Sequence, residues 1–300
     1  MNLKEINEVT EEEFLKNYKP YDYERPSLTV DMILFTLDDE EEKDLKKVPE
    51  KVLKVLLIKR KNHPFKNCWA IPGGFVDINE NIEDAVYREL KEETNIDNVY
   101  LEQLYTWGDV NRDPRMRVVS TSYMALVNKE NINVKAGDDA ADAAWFTIKK
   151  KIIKTEDTKI ISQIILENVA EDIKIVYEIT ENIEIKGYNK NSKFEIKLIE
   201  GDRGLAFDHV KILNYSLERM RNKVQYTTIA FSLLPKEFTL MELQQVYELL
   251  LGRTLVKQNF RRWISPMVSK TDKVKSNRAY RPSSLYILNK SYIINEIKNI

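Results

Sequence analysis

The densest chemistry in the chain lies in WAIPGGFVDINENIEDAVYRELKEETNI, where three acids, Glu89, Glu92 and Glu93, follow the pair Gly73-Gly74 and stand next to Arg88. If the segment after the glycines is helical, the three carboxylates fall, at about 100° per residue, within an arc of about 100° on one side. They also sit in its last turns, where the macrodipole disfavours anions, and like charges at i,i+3 and i,i+4 repel by about 0.2–0.5 kcal/mol per pair. Folding alone would not select that arrangement. A hard divalent cation converts the repulsion into ligation, because Mg2+ or Mn2+ takes carboxylate oxygens together with the phosphate oxygens of a substrate. The spacing points to metal-assisted chemistry on a phosphate.

Such carboxylates need a frame. Eight glycines in 300 residues is sparse against an average of about 7%, so an adjacent pair is informative. After Pro72 it offers a tight turn at which a backbone carbonyl can approach a ligand closely. The helix is expected to start near Asn81–Glu83, with Glu83 and Asp84 suited to its positive end and Ile82, Val86 and Leu90 as its core stripe. Apolar and alternating runs predict strands over 28–38, with Asp31 inside, and over 51–60, 118–127 and 143–148. Residues 150–205 read as a helical stretch near 157–168 and two short strands, IKIVYEI and KFEIKLI. The fold class is mixed α/β.

Gly74, five residues, Glu80, seven residues, then Arg88-Glu89-Leu90-Lys91-Glu92-Glu93-Thr94-Asn95-Ile96 closely resembles the Nudix box, G-x5-E-x7-R-E-U-x-E-E-x-G-U with U a bulky aliphatic. Its one departure is Asn95 at the last glycine; Asn is the other residue that tolerates a left-handed helix end. The resemblance implies a Nudix α/β/α sandwich with a mixed sheet, and hydrolysis of a nucleoside diphosphate derivative such as ADP-ribose. By motif position Glu89, Glu92 and Glu93 would hold Mg2+ (or Mn2+), with the Gly73 carbonyl, while Arg88 and Glu80 orient them. A metal so held neutralises diphosphate charge and lowers the pKa of a bound water. Which carboxylate takes the water's proton stays open; Asp138 and Asp139 in KAGDDA are candidates. Nearby, Arg112, Arg115 and Arg117 are candidate phosphate clamps, and one of Tyr21, Tyr23, Tyr105 and Trp107 a candidate base-stacking ring. His63 and His209 are expected to be structural.

Across the whole chain 47 Lys+Arg balance 48 Asp+Glu, for a net charge of -1, which taken alone argues against a nucleic-acid partner. The balance conceals a split: residues 216–300 carry +9 and residues 1–215 carry -10. Cys68 has no second cysteine to pair with, the N-terminal stretch lacks an apolar signal core, and no run approaches the ~18 apolar residues of a membrane span. A cytoplasmic protein with no membrane partner is the expectation.

The basic end carries its own pattern. Phe207 to Val224 predicts a helix with Val210, Leu213, Leu217, Met220 and Val224 as a seam, either packed on a neighbouring domain or forming a dimer contact. Thr239 and Glu242 form a capping box for a helix ended by Gly252. Thr254 is expected to cap the next, with Lys257, Gln258, Asn259, Arg261 and Arg262 on its polar side, before a hairpin bearing Lys273 and Lys275. Helix, turn, basic helix and basic hairpin is the order of a winged helix-turn-helix, whose second helix enters the major groove of double-stranded DNA. LTVDMIL, WAIPGGFV, AGDDA, LAFDH and ELQQVYELLLGR together resemble the Nudix-related regulators of NAD metabolism and sugar use. That resemblance implies a Nudix domain over 1–206, with 150–205 as an insertion, and a linker helix with a winged helix over 207–300. It further implies a homodimer that binds or hydrolyses ADP-ribose.

Overall fold

The computed structural model describes residues 10–40, 49–94, 101–128, 140–277 and 280–292. Asn95, Asp138 and Asp139 lie outside the described residues, as does the side chain of Glu93. A short helix α1 (Glu11–Asn17), capped by Thr10, precedes β1 (Ser27–Asp39), β2 (Lys51–Arg60), β3 (Trp69–Ala70) and β4 (Gly73–Phe75). Helix α2 (Ile82–Thr94) leads into β5 (Leu101–Trp107) and β6 (Val118–Leu126). Four long strands follow, β7 (Ala140–Glu156), β8 (Lys159–Asn168), β9 (Ile173–Lys186) and β10 (Asn189–Glu200). Then come α3 (His209–Lys223), α4 (Leu240–Leu251), α5 (Lys257–Ile264) and the hairpin β11 (Val268–Asn277) and β12 (Tyr280–Leu288).

One mixed sheet runs β10-β9-β8-β7-β2-β1-β6-β5, with β1 and β6 parallel and β3 and β4 attached beside β2 and β1. Strand parity explains its two faces. Val30, Met32 and Leu34 of β1 bury with Ala85, Val86 and Leu90 of α2 on one side. Ile33, Phe35 and Leu37 bury with Ile212 and Leu213 of α3 on the other. The sheet is thus sandwiched between helices. In α2 the buried stripe is Ala85, Val86 and Leu90, while Ile82 is exposed because it stands at the helix's first residue, beyond the sheet.

The expected helix at 157–168 is instead the strand β8. Its isoleucines at 160, 161, 164 and 165 fit an i,i+4 spacing on paper, but β-branched side chains favour a pleated surface. Burial from Ser162 to Asn168 alternates residue by residue, and β8 pairs with β7 and β9 along its whole length. The segment 150–205 therefore extends the sheet as an antiparallel meander.

Helix α3 uses its seam within the chain. Val210, Leu213, Met220 and Val224 share one core with Leu243, Val246, Leu250, Phe260 and Ile264 of α4 and α5, so the seam packs on the C-terminal module. The capping box of Thr239 and Glu242 is formed, and Gly252 ends α4 at φ 65°. Helix α5 begins later than expected: Val256, not Thr254, is its first flanking residue, and no side chain caps it. Among the described residues no helix is long and apolar enough to cross a membrane.

Candidate functional site: the acidic helix and the cleft beside it

The glycine pair is not the tight turn expected from the sequence: Gly73 and Gly74 are both part of strand β4, which pairs antiparallel with β1, Asp31 opposite Gly73 and Val30 opposite Gly74. A side chain at Gly73 has no room, and one at Gly74 displaces its neighbour. A Cβ on Gly73 would overlap the Val30 carbonyl, and one on Gly74 would overlap the Glu89 carboxylate. Gly74 lets α2 lay the Glu89 carboxylate directly on β4.

Arg88 organises the acids. Its Nε and Nη2 each donate to Glu80, at 2.8 Å, its Nη1 donates to Glu89 at 2.7 Å and Glu92 at 3.3 Å, and Nη2 also reaches the Phe75 carbonyl. These contacts hold the Glu80 carboxyl below the usual carboxylate range and push the guanidinium up. Burial pushes the Glu89 carboxyl up, against the pull of Arg88. Among the described residues no group of three acidic, His or Cys side chains is placed to hold a metal ion. Glu89 and Glu92 nonetheless converge on one guanidinium, Glu93 stands in the same last turn of α2, and the donors are hard oxygens beside β4, where a Cβ on Gly73 would strike backbone. That donor set suits Mg2+ or Mn2+ rather than a softer ion.

Glu89 forms one wall of a cleft of about 280 Å³, which also meets Gly73, Gly74, Phe75, Arg60, Lys61 and His63. Arg112 and Arg115 line it; Arg117 does not, and instead donates to the Asp109 carbonyl. Arg115 is bonded to Asp113 by Nε at 3.0 Å and Nη2 at 2.8 Å. None of Tyr21, Tyr23, Tyr105 and Trp107 lines the cleft. Tyr105 and Trp107 pack with Tyr215 of α3 at 5.4 and 5.7 Å, and the phenyl rings that line the cleft are those of Phe75 and Phe207.

At the cleft's inner end lies a buried polar group built from four distant segments. Arg112 donates through Nε to Asp208 at 3.1 Å, and through Nη2 to Asp208 at 2.8 Å and Asp31 at 3.2 Å. Ser120 donates to Asp31 at 2.6 Å. The Ile71 N–H donates to Nδ1 of His209 at 2.9 Å, which places the imidazole proton on Nε2, 3.6 Å from Asp31. Burial pushes the His209 pKa down against the pull of both aspartates. Residues 207–209 close this group at the start of α3. Phe207 has φ 51°, a left-handed backbone costing an L-residue about 1–2 kcal/mol, and its ring lies 4.9 Å from the Arg60 guanidinium. Asp31 was visible in the sequence as a lone acid inside an apolar strand, on the same parity as Ile33 and Phe35, and therefore facing α3. Phe207, Asp208 and His209 stand in the LAFDH run that carries part of the family resemblance, but nothing in their types or spacing predicts a contact with Arg112 or Asp31.

In the C-terminal module Lys257, Gln258, Asn259, Arg261 and Arg262 are all exposed on α5, with Phe260 and Ile264 buried behind them. Lys257 and Arg261 border a groove against α4 and β12. On the hairpin Lys273 pairs with Glu237 at 3.0 Å and Lys275 with Glu242 at 2.7 Å, both lysines remaining more than half exposed.

The NUDIX domain model matches residues 48–165, and the NrtR DNA-binding winged helix domain model matches residues 230–288. The chain is 33% identical over 285 residues to the ADPR responsive transcriptional repressor NtrR of Acinetobacter baylyi, covering 94% of this chain and 89% of that one. It is 40% identical over 134 residues to an ADP-ribose pyrophosphatase of Methanocaldococcus jannaschii, covering 45% of this chain and 68% of that protein. The crystal structure of Shewanella oneidensis NrtR with a 27mer DNA aligns at a TM-score of 0.58 and 29% identity, covering 88% of this chain and 94% of that one. The α/β/α sandwich with its acidic helix and the helix, helix and hairpin that follow are accordingly those of one family: this chain belongs to the Nudix proteins that carry a C-terminal NrtR winged helix.

Proposed function

We propose that the chain is a DNA-binding regulator whose Nudix cleft takes ADP-ribose or a related nucleoside diphosphate derivative and hydrolyses its diphosphate, giving AMP and ribose 5-phosphate from ADP-ribose. The observation that carries the hydrolytic part is the Arg88 hub, which gathers Glu80, Glu89 and Glu92, with Glu89 laid on the glycines of β4 beside the cleft. Glu89, Glu92 and Glu93, with the Gly73 carbonyl, would hold Mg2+ (or Mn2+), which supplies charge neutralisation at the diphosphate and an acidified water. The protein's own part is positional. Arg88 fixes the carboxylates in one orientation, Arg115 with Arg60 and Lys61 presents positive charge to the ligand, and the rings of Phe75 and Phe207 pack against Arg115 and Arg60 at its edge.

The regulatory part draws on the relatives, since the repressor resembles nearly the whole chain and the pyrophosphatase only its Nudix half. Lys257, Gln258, Asn259, Arg261 and Arg262 would enter the major groove, with Lys273 and Lys275 on flanking phosphates. A homodimer would match two half-sites. A second reading, a sensor with little hydrolysis, is favoured by Asn95 standing at the last glycine of the motif. One preparation of the full chain tests all of this. Release of AMP from ADP-ribose with and without Mg2+ separates enzyme from sensor, and a mobility shift on the gene's upstream DNA across a salt series tests the winged helix. No product together with no shift overturns the proposal.

A further inference from the structure

Asp208 stands at the position from which an aspartate ordinarily caps a helix, immediately before His209, the first residue of α3. It does not cap it. Its side chain makes no bond to the first amides of α3, and both carboxylate oxygens turn away to Arg112. Thr239, at the same position of α4, does cap its helix, from an extended backbone of φ -90° and ψ 153° against -98° and 20° at Asp208. The preceding residue, Phe207, is held left-handed at φ 51°. An aspartate diverted from its cap and a bulky residue held in a costly conformation mark a junction with a second available arrangement.

We propose that Asp208 is the joint through which the Nudix cleft controls the winged helix: a diphosphate ligand takes Arg112, and the released Asp208 carboxylate turns to cap α3. This rests on the reading of the cleft as a nucleotide diphosphate site. Arg112 lines the cleft on one side and grips Asp208 on the other, and a phosphate is the ligand class that matches its planar fork as well as a carboxylate does. The ligand therefore has the differential contact that any population shift requires, binding better where Arg112 is not committed to Asp208. The consequence travels because α3 cannot move alone. Leu213 and Met220 are packed in one core with Leu243 and Leu250 of α4, and close-packed cores shift as units. A change in how α3 begins becomes a change in how α4 and the exposed face of α5 are presented.

The test uses the full chain, upstream double-stranded DNA, and ADP-ribose in the presence of EDTA so that no hydrolysis intervenes. In the wild type ADP-ribose is expected to change the DNA Kd by about 5–150-fold; in Asp208→Asn, which keeps the shape but not the charge, the ratio collapses to within about twofold of one while both ligands still bind. Hydrogen exchange on the wild type gives an independent reading that needs no variant: the amides of Val210 and Lys211, the second and third of α3 and the ones an N-terminal cap reaches, gain protection when ADP-ribose binds. Asp208→Asn with the wild-type ratio, or unchanged exchange at those amides in a protein that binds ADP-ribose, overturns the joint alone. Absence of ADP-ribose binding to the wild type overturns the reading of the cleft as well.

Discussion

Arg112 and Asp208 lie 96 residues apart in the chain and close a two-bond fork, Nε to Oδ2 at 3.1 Å and Nη2 to Oδ1 at 2.8 Å, that fastens the loop after β5 to the start of α3. Both side chains are under 10% exposed, so the pair is not a surface ornament. Breaking a buried pair by removing one partner leaves the other charge uncompensated, at a cost of about 3–5 kcal/mol. Arg112→Ala should lose about that much in urea unfolding. Arg117→Ala, whose side chain is exposed and reaches only a loop carbonyl, should change stability by no more than about 0.5 kcal/mol.

The hub at Arg88 makes a separate prediction. Lysine supplies a point charge and cannot reproduce contacts to three glutamates and the Phe75 carbonyl from one planar group. Arg88→Lys should lower Mg2+-dependent turnover by about 10–100-fold, as expected when a partner that orients metal ligands is lost, with an unaltered circular dichroism spectrum. Gly74→Ala should do the same from the other side, because its methyl would displace the Glu89 carboxylate. Normal turnover in both variants would separate the hub from the chemistry.

His209 gives the stability a pH dependence whose direction is determined. Its folded pKa lies below the ordinary 6.5, so the unfolded chain takes up a proton that the folded protein resists. Its contribution is complete above the unfolded value and is lost as pH falls below 6.5, before ordinary carboxylates titrate. Thermal unfolding followed from pH 7.5 to 5.5 should show a falling Tm. In His209→Gln, which keeps an acceptor for the Ile71 N–H, that slope should flatten over the same range.

On α5 the exposed cations lie opposite the buried Phe260 and Ile264, so substituting them leaves the core untouched. If Arg261 meets a phosphate, Arg261→Ala should reduce the slope of log K against log salt by about 0.9; if it meets a base, it should cost about 1–3 kcal/mol at one position of the site with little change in slope. Titration of the variant at several salt concentrations distinguishes the two. A curve identical to the wild type in both respects would remove Arg261 from the interface.

What could be read from the sequence followed locality. The acidic helix, the apolar runs of β1 and β2, the strand β6 and the Thr239 capping box are each encoded within a dozen neighbouring residues, where periodicity and capping chemistry act directly. The helix misassigned at 157–168 was also local, but its isoleucine spacing satisfied two periods at once, and pairing with β7 and β9 decided between them. The buried group at the cleft's inner end was illegible for another reason. Asp31, Arg112, Ser120 and Asp208 come from β1, a loop, β6 and the approach to α3, and only tertiary structure brings them within hydrogen-bond reach. Arg112 looked like a free phosphate clamp because its two aspartate partners are 81 and 96 residues away.

Hydrolysis by the acidic helix in the cleft beside it is the claim that one measurement tests most directly. The deciding measurement is the rate of AMP release from ADP-ribose by the full chain in Mg2+, wild type against Glu89→Gln and Glu92→Gln. The account predicts equimolar AMP and ribose 5-phosphate from the wild type, a rate abolished by EDTA, and a loss of at least about 100-fold in Glu89→Gln, in line with the roughly 10²–10³-fold lost when a catalytic electrostatic contact is deleted. Wild-type protein that binds ADP-ribose yet releases no AMP, or variants that release it at the wild-type rate, would contradict it.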